Sequence, residues 1–242
     1  MTSAISAHGL TLRFPVYGVD NRSLKKYLAR IRVGGQLASW RGTTMVTALR
    51  NVSLELKAGD RLGIIGSNGS GKTTLLRTLA GAYIPDEGNL TVQGRVASLL
   101  DLSMGLDPSA TGLENIRLRC LMVGMPSQMI EEKLPQIAEF SGLGAFLAMP
   151  LKTYSAGMQA RLAFAASTAV EADILLMDEW IAVGDAEFQG SAHERLTSLV
   201  EKTRILVLAS HSPDIIRTFC NKVIRMDGGR AGPIMPVDQL DA

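Results

Sequence analysis

Two hydrophobic periods alternate along this chain. Residues 48–56 (ALRNVSLEL) alternate between apolar and polar, strictly so from Asn51 on, which predicts an antiparallel strand with one buried face. Residues 8–15 predict another strand, and residues 89–100 predict short strands around Gly94. Three runs are apolar without alternation: RLGII at 61–65, ILLM at 174–177 and ILVLA at 205–209. Such runs suit strands of a parallel sheet that is buried on both faces. From 113 to about 147 the pattern turns helical, with Met122, Met125 and Met129 along it. Those methionines read as core, or as an adaptable surface for a partner. After 156 strands and helices alternate, as a parallel sheet with crossover helices requires. The fold class is therefore α/β, with a parallel sheet, an antiparallel β subdomain and a small helical lobe at about 113–150. The tail from 228 carries Gly229, Gly232, Pro233 and Pro236, and predicts a loop with a short terminal helix.

The chemistry is concentrated where these runs end. Residues 66–73 fit the phosphate-loop pattern G-x-x-x-x-G-K-[ST], between a buried strand and a helical segment. Gly66, Gly69 and Gly71 let the backbone approach phosphates, and Ser67, Asn68 and Ser70 contribute further amides. The helix that opens at Thr73 and Thr74 points its N-terminus at the anion. Lys72 supplies a point charge for the β- and γ-phosphates of ATP, and Thr73 a hydroxyl for Mg²⁺. Asp178 and Glu179 close the run at 174–177, at the strand end where ligands of parallel sheets bind. Asp178 is the candidate Mg²⁺ ligand, and Glu179 the candidate to polarise the attacking water. His211 follows the run at 205–209, between Ser210 and Ser212, and is the candidate sensor of the γ-phosphate. His8 and His193 have no such context and read as surface residues.

With YSAGM at 154–158 added to these motifs, the chain resembles the ATP-binding domain of ABC transporters, from about 49 to 229. The resemblance implies a P-loop NTPase core and a head-to-tail homodimer with two ATP sites. It also implies that Ser155, Ala156, Gly157 and Met158 reach the γ-phosphate held by the partner copy, and that Asp185 is a dimer contact. The tyrosine-led signature is similar to that of the subfamily exporting O-antigen, capsule and teichoic acid. So are the segments 96–116 and 180–189, and RFPVYGVDNRSLKK at 13–26 resembles the O-antigen branch. The implied function is ATP hydrolysis that powers export of a lipid-linked polysaccharide through a separate integral membrane permease. Two positions depart from the family. A metal-contacting Gln is missing between 96 and 108, where Asp101 is the nearest positional substitute. The aromatic that stacks on adenine is Phe14, or Tyr17, set apart from the phosphate loop by an insertion at about 18–45. Relatives that act on nucleic acid carry coiled coils, zinc motifs or tandem ATPase domains, and none is read here, so no nucleic-acid partner is expected.

Composition narrows the remaining options. The chain of 242 residues, 46% hydrophobic, is expected to form a single domain. Cys120 and Cys220 give no disulfide framework and read as buried thiols. Residues 1–9 lack a basic start and a long apolar run, so no signal peptide is expected. No segment approaches the ~20 apolar residues of a membrane span. The expected location is therefore peripheral, on the cytoplasmic face of the inner membrane. About 240 residues leave no room for the carbohydrate-binding domain that some similar O-antigen exporters carry. Net charge is +2, but residues 1–47 hold +6 of it and the remainder sums to −4. Residues 23–33 (SLKKYLARIRV) read as a basic amphipathic helix for an anionic membrane surface, for an anionic lipid-linked substrate, or simply as a solvated helix. Residues 34–42 read as a flexible return loop.

Overall fold

The computed structural model describes residues 4–16, 36–40, 43–180 and 186–240. In chain order the elements are β1 (Ala4–Val16), β2 (Gln36–Trp40), β3 (Thr43–Lys57), β4 (Arg61–Ile65), α1 (Lys72–Leu79), β5 (Glu87–Gln93) and β6 (Val96–Leu99). Then come α2 (Gly112–Met122), α3 (Ser127–Ser141), α4 (Ala156–Ser167), β7 (Ile174–Asp178) and α5 (Ala186–Lys202). The chain continues with β8 (Ile205–Ala209), α6 (Pro213–Phe219), β9 (Lys222–Asp227), β10 (Arg230–Ala231) and β11 (Met235–Pro236). These residues form two compact units. One comprises Met1–Val96, Leu176–Trp180 and Arg204–Ala242, the other Ala97–Leu175 and Ile181–Thr203.

The first unit holds two sheets. The antiparallel sheet has the order β2–β3–β1–β5. From Val52 on the alternation along β3 works as expected: Val52, Leu54 and Leu56 are buried, while Ser53 and Glu55 are exposed. Leu49 is also buried, three positions before Val52, because the register with β1 shifts between them. The second sheet runs β10–β9–β4–β8–β7, and β4 lies parallel to both β8 and β9. The runs at 174–177 and 205–209 are buried along their whole length, Ile205 to Ala209 at 1% exposure or less, and β4 is buried at its centre, Leu62 to Ile64. The carboxyl ends of β4, β7 and β8 therefore lie along one edge, which gathers the motif residues. The tail forms β10, β11 and a single 3₁₀ turn, Val237–Gln239, in place of a terminal helix.

The second unit contains the helical lobe expected over 113–150. Thr111 caps α2 in a capping box with Glu114, a motif worth about 1 kcal/mol. The helical pattern is interrupted at Gly124, where φ is 82°, and at Pro126, which caps α3. Ile116, Cys120, Ile130, Ile137, Leu162 and Ala165 form the lobe's core. The methionines divide: Met125 joins this core, while Met122 and Met129 are exposed. Met122 and Met129 at the helix surface contradict a wholly internal role.

The expected return loop at 34–42 is corrected. Gln36–Trp40 is a strand paired antiparallel to β3, with Gln36 opposite Thr47 and Trp40 opposite Thr43. Its partner is the next strand in the chain, three to eleven positions on, yet residues 34–42 show no alternation of apolar and polar positions that announces it. The helix expected over 23–33, Tyr17 and Asp185 lie outside the described residues.

Candidate phosphate-binding site

The chain turns sharply after β4 because two glycines stand where no side chain fits. A Cβ on Gly66 (φ 150°) would sit 2.3 Å from the Met226 carbonyl oxygen, and one on Gly71 (φ 106°) 2.9 Å from that of Ala48. Gly71 is also the N-cap of α1 and has no side chain of its own to offer the first helical amides. Those N–H groups are left for an anion. Lys72 Nζ donates to the carbonyls of Gly66 at 2.8 Å and Ser67 at 3.1 Å. The same nitrogen lies 3.4 Å from His211 Nε2.

The two carboxylates at the end of β7 are held differently. Thr73 Oγ1 donates to Asp178 Oδ2 at 2.5 Å, which links α1 to β7 through two hard oxygen atoms. That pair suits Mg²⁺, which takes one or two protein oxygens along with substrate phosphates. Glu179 instead turns toward β8. Its Oε2 accepts the Ser210 hydroxyl at 2.8 Å, and its Oε1 accepts the backbone N–H of His211 at 2.9 Å. Its own N–H donates to the Ala209 carbonyl at 2.8 Å. Glu179 has φ 74°, in the left-handed region that non-glycine residues avoid. Such a conformation costs about 1–3 kcal/mol and persists where its surroundings fix it.

A pocket of about 430 Å³ joins these groups. Residues 68–74, Asp178, Glu179 and His211 line it, together with Val46, Thr47 and Ala48 of β3. The structure thus brings together Asn68, Gly69, Ser70, Gly71, Lys72, Thr73, Thr74, Asp178, Glu179 and His211, while Gly66 and Ser67 hold the lysine from behind. Phe14 is not among the described residues lining this pocket. It is half-buried in β1, with its ring edge-on to Tyr83 at a centroid distance of 5.2 Å. Ser210 was not legible as a Glu179 partner, although a polar residue at the end of a fully apolar strand was a signal. Nothing local marked Ala48 or Tyr83.

Asp101 and the signature residues Ser155, Ala156, Gly157 and Met158 belong to the second unit. Asp101 accepts the hydroxyl and the backbone N–H of Ser103, and the hydroxyl holds its carboxyl below the usual range. Ser155 caps α4, its hydroxyl accepting from Met158 N. Tyr154 is buried, and its hydroxyl donates to the Phe146 carbonyl at 2.6 Å. That bond anchors the chain just before Ser155. Ser155, Gly157 and Met158 line a shallow cavity with Phe146 and Arg161.

The family model described as ABC transporter matches residues 49–182. The chain is 42% identical to the O-antigen export system ATP-binding protein RfbE of Yersinia enterocolitica over 95% of its own length and 96% of that protein. It is 42% identical to the teichoic acids export ATP-binding protein TagH of Bacillus cereus over 73% of its length, but that match spans 32% of TagH. Among solved structures, a dimeric ATP-binding cassette in a post-hydrolysis state with ADP and Pi is similar in fold. It has a TM-score of 0.68 at 20% identity and covers 96% of this chain and 98% of that one.

Proposed function

Because this chain belongs to the ABC transporter family and hydrolyses ATP, we propose that two copies power the export of a lipid-linked, O-antigen-like polysaccharide through a separate membrane permease. The observation that carries the enzymatic part is the convergence of Lys72, Asp178 and Glu179 on one pocket beside His211. The cargo reading is supported by the Yersinia relative, which matches over nearly its full length. Teichoic acid, capsule or another lipid cargo is the second reading, and the TagH match favours teichoic acid among these.

In the proposed cycle the amides of residues 68–74 and Lys72 hold the phosphates. Glu179 polarises a water that attacks the γ-phosphorus, and it takes up the water's proton as the bond to the β-phosphate oxygen breaks. His211 contacts the γ-phosphate beside Lys72. Thr73 and Asp178 would hold Mg²⁺, which would supply neutralisation of phosphate charge. Ser155, Ala156, Gly157 and Met158 of one copy close on the phosphates held by the other, with the N-terminus of α4 as the anion site. Asp185 serves as a contact between the copies. Two identical surfaces meeting in this way close as a twofold dimer. ATP performs work because it binds the closed dimer more tightly than the open one.

No helix among the described residues is long and apolar enough to cross a membrane. In this reading the chain acts peripherally, on the cytoplasmic face of the inner membrane, as the ATP-binding partner of the permease. The test is deletion of its gene in the host. Polymer trapped inside on its lipid carrier, with a bare surface, supports export and lets the trapped chain identify the cargo. A normal surface without trapped polymer overturns the polysaccharide reading.

A further inference from the structure

Trp180 directly follows Glu179, and Phe219 closes α6, the helix that begins two residues after His211. The two rings lie face to face, with centroids 4.0 Å apart and planes 16° apart. Both side chains are half-buried. The stack completes a closed circuit. One arm is Glu179 and Trp180, and the other runs from His211 through α6 to Phe219. At its opposite side the circuit is fastened by the Glu179 carboxylate, which accepts from Ser210 Oγ and His211 N.

Glu179 needs such fastening on both sides because its φ is 74°. On the amino side its N–H is tied to the Ala209 carbonyl. On the carboxyl side the next residue is anchored by its indole. A rotation that relaxed φ toward ordinary values would swing either the carboxylate or the Trp180 ring. We propose that Trp180 is a positioning residue for hydrolysis: stacked on Phe219, it holds the backbone of Glu179 in the left-handed conformation that aims the carboxylate. This rests on the reading of Glu179 as the group that polarises water.

The experiment measures kcat, KM and equilibrium ATP affinity for the full chain carrying W180A, W180F, F219L or W180A with F219L, alongside E179Q. F219L keeps apolar bulk while removing the stacking face, so it decides the matter if W180A fails to fold. An aromatic pair of this kind predicts a fall in kcat of about threefold to tenfold in W180A and F219L. ATP affinity stays within about twofold, W180F recovers most of the rate, and the double variant loses no more than W180A alone. Parental kcat in W180A and F219L, a parallel loss of affinity and rate, or losses that multiply in the double variant would each overturn the proposal. Full turnover in E179Q would instead sink the catalytic reading of Glu179 on which it rests.

Discussion

The backbone N–H of His211 donates to Glu179 Oε1 at 2.9 Å, so the carboxylate at the end of β7 is aimed by the main chain at the end of β8. In E179Q the amide oxygen can keep that bond, and the Ser210 hydroxyl can turn to accept from the amide nitrogen. The fold should therefore survive while the basic oxygen is lost. Phosphate release should fall by about 10²- to 10⁴-fold with ATP still bound. An unchanged release rate would remove Glu179 from the chemistry.

Ser210 is fully buried, and its hydroxyl joins Glu179 Oε2 to the backbone N–H of Ser212. Ser210→Ala leaves that N–H without its acceptor and frees one side of the carboxylate. A buried group left unpaired costs about 1–3 kcal/mol. For a chain of this size each kcal/mol lowers Tm by about 2–4 °C. Calorimetry should show that loss together with slower turnover.

Lys72→Ala removes the one ammonium among the described residues that line the pocket and releases the Gly66 and Ser67 carbonyls. Charge-assisted hydrogen bonds contribute about 1.5–3 kcal/mol each. ATP affinity measured by titration calorimetry should therefore weaken by at least about tenfold. Parental affinity would contradict a phosphate contact.

Arg119 is 3% exposed and donates to the carbonyls of Asp101 and Met104 and to Ser167 Oγ. Burial pushes its guanidinium below the usual value. Arg119→Met keeps most of the volume and strands three acceptors, so a stability loss of about 2–4 kcal/mol is expected in urea unfolding. Asp101 should become more exposed to solvent, which hydrogen exchange over 101–104 would report.

Burial pushes Cys120 up to about 11 and Cys220 up to about 12. At pH 8 both remain thiols in the folded chain, and iodoacetamide should add nothing until denaturant exposes them. Because the folded values lie above the unfolded one, this contribution to stability is complete below about pH 9. It is lost as pH rises toward 11 and 12. Rapid labelling of the native chain would show that either thiol is accessible.

What could be read from the chain was local. Lys72, Thr73, Asp178 and His211 stand in short motifs or at the ends of apolar runs, and runs of that length have few other uses. Gln36–Trp40 escaped because its own residues carry no strand pattern, and it is a strand because the neighbouring β3 offers it a partner. The rest of what escaped was set by distant contacts. Ser210 reaches Glu179 across 31 positions. Phe14 rests on Tyr83, which no spacing suggested. Tyr154 reads as a departure in a signature, yet its hydroxyl secures the Phe146 carbonyl. Gly112 leaves room for it, since a Cβ there would lie 2.2 Å from that oxygen.

The bonds from Lys72 to the Gly66 and Ser67 carbonyls also bear on how fast ATP arrives. A loop cross-tied by its own lysine meets its conformational entropy cost during folding, not during ligand capture. One ammonium must change partners when phosphates enter, and side-chain motions of that kind take picoseconds to nanoseconds. Encounter in solution is far slower. The observed capture rate should thus rise linearly with ATP concentration, without the plateau that a slow rearrangement imposes.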